Sequence, residues 1–167
     1  MIVIGIDPSP VGYHCVYIGF EKEPPVYYFF DAHRMSQEVS SINTLPGLED
    51  VTMYCEMVAS YGMPVGRSVF DTVLNIGRLL NMFPNVNLIT RGMAKLELCH
   101  NPRAKDKNVK QALIDIYGEV GLKKTPGPMR PFHGTGSDSW AALAVAHYGW
   151  LRESGREDLS LYEVGVK

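Results

Sequence analysis

The first seven residues, Met1–Asp7 (MIVIGID), constrain this chain more than any other segment. They form an apolar run that ends in an acid, with no polar residue to mark a solvent-facing side. A strand buried on both faces belongs in the middle of a sheet. The sequence Asp7-Pro-Ser-Pro then breaks it. Two β-branched and aromatic runs follow, Gly12–Phe20 and Val26–Asp31, separated by Glu21-Lys-Glu-Pro-Pro. Three strands with short connections predict an antiparallel meander.

The segment His33–Asp50 stays ambiguous. It could carry a helix around Met35–Ile42, but Leu45-Pro46-Gly47 would end it. Val51–Val58 (VTMYCEMV) predicts a fourth strand and Val86–Thr90 a fifth. Between them, Ser68–Met82 carries Val69, Phe70, Val73, Leu74, Ile76, Leu79 and Leu80 at helical spacing. Met93–Cys99 predicts a short helix and Asp106–Tyr117 a longer one, with Val109, Ala112, Leu113 and Ile116 on one face. Gly118–Gly136 is rich in Gly and Pro and predicts a loop. Ser137–Leu151 predicts an Ala-rich final helix that Ser137 or Asp138 can cap. The expected fold class is α/β. Its five-stranded mixed sheet, three antiparallel strands then parallel strands, is flanked by helices. The 167 residues suit one domain, residues 1–155, with a peripheral tail over residues 156–167.

The net charge of −2 announces no nucleic-acid partner, but its distribution is uneven. From Arg91 to Arg130 the chain sums to +5, so the remainder carries −7. One basic flank can hold DNA on an otherwise acidic protein, although a solvated charged face reads the same way. Cys15, Cys55 and Cys99 are widely spaced and form no C-x-x-C pair, which argues against a zinc site or disulfide framework. Cys15 and Cys55 lie in apolar runs and read as core residues; a cytoplasmic setting fits all three. No basic leader precedes an apolar stretch, and no apolar run approaches the length of a membrane span.

Three acids stand in telling places. Asp7 ends the most buried strand, Glu56 lies near the end of the fourth, and Asp138 begins the last helix. An acid in an apolar strand is costly to ionise unless it is paired or binds a metal. Hard divalent cations take oxygen ligands, so two such acids from neighbouring strands suggest a shared cation. Each also has an ordinary explanation. Asp7 before Pro8 could shape a turn, Glu56 could face water from an edge strand, and Asp138 could serve only as a helix cap. The three together carry the information.

In order and spacing three pieces resemble the RuvC family, within the RNase H-like (retroviral-integrase) group. They are Ile4-Gly-Ile-Asp7-Pro-Ser, Cys55-Glu56-Met with a helix behind it, and Asp138-Ser-Trp-Ala-Ala-Leu-Ala-Val-Ala146. Lys105-Asp-Lys107-Asn-Val-Lys110 is similar to that family's basic segment. Ala59-Ser-Tyr-Gly-Met-Pro-Val-Gly66, with Gly127-Pro128, resembles a branch common among bacteriophages, which would place the protein in a host cytoplasm. The resemblance implies a Holliday junction resolvase. Asp7, Glu56 and Asp138 would hold Mg²⁺, with Mn²⁺ able to substitute. Lys105, Lys107 and Lys110 would meet DNA phosphates, and Tyr61 and Met63 would meet bases of a four-way or branched DNA. The substrate's two-fold symmetry calls for a homodimer, with the Ser68–Met82 helix as a candidate interface. The chain departs from the family where Ala141 stands one turn after Asp138, and His133 is the nearest substitute for a fourth metal ligand. A nuclease acting on another structured nucleic acid would use the same acids. A non-catalytic DNA-binding module would hydrolyse nothing.

Overall fold

The computed structural model describes residues 2–19, 26–31, 51–59, 62, 64–83, 85–117 and 137–155, with residues 26–31 described by their backbone. The segments expected as a helix over Met35–Ile42, a loop over Gly118–Gly136 and a tail over residues 156–167 lie outside the described residues.

Strand β1 (Ile2–Pro8) pairs antiparallel with β2 (Gly12–Gly19), and β2 pairs antiparallel with β3 (Val26–Asp31). On its other side β1 pairs parallel with β4 (Val51–Met57), and β4 pairs parallel with β5 (Asn87–Thr90). The order β3-β2-β1-β4-β5 puts β1 at the centre of a mixed sheet, as its apolar composition demands. The β1–β2 turn closes on Ser9, whose N–H donates to the Gly12 carbonyl at 2.8 Å. Glu56 therefore stands on an interior strand, not an edge. Asp7 sits in the ladder opposite His14, so the turn is made by other residues.

Alternation along the strands sorts side chains onto two faces. Val3, Val16, Ile18, Tyr54 and Ile89 pack on one core, and Ile4, Ile6, Tyr13, Cys15, Met53 and Cys55 on the other. Helix α1 (Arg67–Met82) covers the second face with Ile76 and Leu79. Its buried Asn75 donates to the carbonyls of Ser9 (2.9 Å) and Pro10 (3.2 Å), while its own carbonyl accepts from Tyr13 Oη at 2.8 Å. The helix thus pins the turn between β1 and β2. Its apolar residues do not all face the core: Phe70 is 62% exposed, Leu74 55% and Val73 40%.

The first face is covered by α2 (Arg91–Cys99), α3 (Asp106–Tyr117) and α4 (Ser137–Glu153). Helix α4 lies directly on β1. A Cβ built on Gly5 would overlap the backbone nitrogen of Ala146 and the carbonyl oxygen of Ala142, so only glycine allows this approach. The alanines of α4 let its backbone come that close. Helix α2 begins two residues earlier than the apolar pattern alone predicts. The Thr90 hydroxyl accepts from the Met93 N–H at 3.3 Å, so the last residue of β5 is already the helix N-cap. Cys15 and Cys55 are buried free thiols. Among the described residues, no helix is long and apolar enough to cross a membrane.

Candidate functional site

The strand alternation that builds the core also gathers the acids. Asp7 shares a face with Val3, Glu56 with Tyr54, and His14 with Val16 and Ile18. Ile6 is in register with Cys55, so Asp7 and Glu56 leave adjacent parallel strands at the same level. His14 is directly opposite Asp7 in the antiparallel ladder. Helix α4 starts over this end of the sheet, and its second residue is Asp138. The structure thus brings the three sequence-derived acids to one end of one face and adds His14 to them.

Their surroundings differ. The Asp7 and Glu56 side chains are 12% and 14% exposed, whereas Asp138 is 56% exposed at the rim. Asp138 accepts from Ser137 Oγ at 3.0 Å, and its other oxygen lies 3.5 Å from His14 Nε2. Burial pushes the Asp7 carboxyl up to about 7; the Glu56 and Asp138 charges add to this, and Arg91 works against it. Burial also raises Glu56, again opposed by Arg91. His14 is lowered by burial, with the Asp138 charge opposing.

Arg91, the first residue of α2, is the cation at the centre of this arrangement. Its Nε lies 3.0 Å from Glu56 Oε1 and 3.1 Å from Oε2, and its Nη2 is 4.0 Å from Asp7 Oδ1. One turn on, Lys95 pairs with Asp106 at 2.8 Å. A cavity of about 100 Å³ opens here, lined by Glu56, Arg91, Lys95, Asp106, Asp138 and Trp140 among others. In the sequence, Arg91 and Lys95 stand out only as members of the basic flank. Their spacing of four placed both on one helix face, but the early start of α2 is what sets Arg91 against Glu56.

The donor set suits a hard divalent cation at its core: two buried carboxylates on adjacent strands, close enough to share one guanidinium. It is less complete at the rim. Among the described residues, no three His, Cys, Asp or Glu side chains converge tightly enough to hold a metal, and Asp138 lies 3.5 Å from His14 Nε2. His133, Tyr61 and Met63 lie outside the described residues. Of the basic segment, Lys105 and Lys107 are exposed, while the Lys110 ammonium sits 5.0 Å over the Trp140 ring at the cavity wall.

The fold and site together define a class: a mixed α/β sheet whose helix-covered face gathers carboxylates at the end of its central strands. Solved structures of RuvC share the fold. The Thermus thermophilus RuvC structure aligns with a TM-score of 0.59 at 18% identity, covering 93% of this chain and 97% of that one. The structure of T. thermophilus RuvC in complex with a Holliday junction substrate aligns at 0.63 and 17% identity, covering 93% and 96%. This chain therefore has a RuvC-like fold. No protein-family model matches it, and no curated protein matches its sequence.

Proposed function

We propose that this protein is a Holliday junction resolvase of the RNase H-like group, a structure-selective endodeoxyribonuclease that hydrolyses phosphodiester bonds in four-way or branched DNA. The observation that carries the reading is the placement of Asp7, Glu56 and Asp138 at one end of one sheet face, within a fold shared with RuvC. Asp7 and Glu56 would hold a divalent cation, Mg²⁺ or Mn²⁺, with Asp138 completing the set. When bound, that ion supplies positive charge for the phosphate and acidifies a water molecule.

The protein's own groups do the rest. Burial of Asp7 and Glu56 in the sheet fixes their oxygens before substrate arrives. His14 contacts Asp138 at the rim, in the first turn of α4. Lys105 and Lys107, exposed ahead of and on α3, would meet phosphates, and Lys110 would join them from the cavity wall. Tyr61 and Met63 follow Glu56 by five and seven residues, which would place them near bases at the junction centre. A four-way junction presents two equivalent strands, so two copies of the site are needed. The outward apolar stripe of α1, with Phe70, Val73, Leu74 and the unobstructed Gly77 on one side, is the proposed homodimer face.

Incubation with a four-way junction, a linear duplex, a flapped duplex and an RNA–DNA hybrid tests the substrate class. We expect paired nicks near the junction centre and little cutting of linear duplex. Preferential cutting of the hybrid would instead mark an RNase H-like enzyme with another substrate. Tight junction binding without cleavage under Mg²⁺ or Mn²⁺ would mark a non-catalytic module.

A further inference from the structure

Arg91 has no part in the reaction described above, yet it occupies the centre of the site. Its Nε contacts both Glu56 oxygens, at 3.0 and 3.1 Å, and its Nη2 faces Asp7 at 4.0 Å. We propose that Arg91 is the resident counter-ion of the Asp7–Glu56 pair and gives up that place when a divalent cation binds, its guanidinium turning out into the groove along α2. The proposal rests on the metal-dependent reading above.

Three features of the structure support the exchange. The first is competition for the same lone pairs. A cation held by Asp7 and Glu56 would need oxygens that Nε now faces, since both Glu56 oxygens lie within reach of that one N–H. The second is charge. With both acids ionised, Asp7 and Glu56 carry two negative charges against the single positive charge of Arg91. A divalent ion neutralises both acids alone, and a guanidinium left a few ångströms from it would meet a like charge across a poorly solvated gap.

The third is room to move. Arg91 is 42% exposed, and it also lines a second, open groove of about 620 Å³ with Thr90, Met93, Leu96, Pro102 and Arg103. Its backbone is held where β5 runs straight into the Thr90-capped helix. Only the side chain would have to rotate. Turned outward, the guanidinium would stand beside Arg103 on a surface that can take a DNA phosphate in a forked, two-bond contact. Arg91 is thus a positioning residue: its guanidinium pairs with both acids, and metal loading would free it for the substrate.

Calorimetric titration of Mg²⁺ into the whole protein without DNA tests this, using wild type, R91Q, R91K and D7N. Removing a competing charge partner should tighten Mg²⁺ binding by R91Q about tenfold, the equivalent of one unit of differential charge interaction. R91K, whose shorter ammonium makes a single contact, should fall between R91Q and wild type, and it serves as the readout if R91Q does not fold. R91Q should also melt below wild type in chelator and gain more from added Mg²⁺. D7N should lose binding. Equal or weaker Mg²⁺ binding by both arginine variants, with loss in D7N, would overturn the exchange and leave the metal site standing. Mg²⁺ binding by D7N as tight as wild type would overturn the metal reading, and the exchange with it.

Discussion

Lys107 and Lys110 look alike in the sequence, one turn apart at the start of a helix, and the structure gives them different work. Lys107 is exposed, whereas Lys110 packs its ammonium over Trp140. K107A should therefore weaken junction binding, and the slope of log affinity against log salt should fall by about one for the lost phosphate contact. K110A should additionally lower stability by about 0.5–1 kcal/mol through the lost ring contact. Binding isotherms at several salt concentrations, with thermal melts, check both; an unchanged slope in K107A would place the DNA on another face. At this scale the carboxylates were legible, because an acid in an apolar strand stands out by its cost. His14 and Arg91 were not. Each acts through a neighbour distant in sequence, and only strand register and the true start of α2 reveal which neighbour that is.

Gly5 shows how much one position controls the elements around it. G5A would force α4 away from β1, and with it the entry of Asp138 to the site. We expect a loss of about 3 kcal/mol in urea unfolding, since backbone rather than a flexible side chain blocks the new methyl. A variant as stable as wild type would mean that α4 does not dock this closely. On the same helix His147 is buried, 1% exposed, with its Nδ1 2.7 Å from Tyr117 Oη. Burial lowers its pKa to about 4. As pH falls through the ordinary histidine range, the unfolded chain takes a proton that the folded chain refuses until about pH 4. This contribution is thus complete above about pH 6.5 and shrinks below it. Between pH 7 and 5 the loss should approach about 2 kcal/mol. H147F, although less stable at pH 7, should show a shallower decline; an equal decline would assign the pH dependence to other groups. The central strand and the Ala-rich helix were readable from composition alone. The start of α2 was not, because it turns on one hydroxyl, Thr90, that a pattern of apolar residues does not register.

At the scale of the whole molecule, α1 separates what one copy needs from what two would need. Ile76 and Leu79 complete the core, while Phe70, Val73 and Leu74 are spare to it. The apolar spacing of this helix was visible in the sequence, but its division into inward and outward residues was not, since that depends on how the helix is rotated on the sheet. F70E with L74E should leave the fold intact, convert a dimer to a monomer in sedimentation, and uncouple the two nicks of a junction. A wild-type monomer at working concentrations would remove this interface. On the proposed function, the acids at the end of the sheet cut branched DNA with a divalent cation. The direct measurement is nicking of a labelled four-way junction, with cut sites mapped, by wild type, D7N, E56Q and D138N, each with Mg²⁺ and with chelator. Wild type should give symmetric nicks near the branch point with Mg²⁺ alone, and the three folded variants should give none. Cleavage that persists in chelator, or in D7N or E56Q at the wild-type rate, would contradict it.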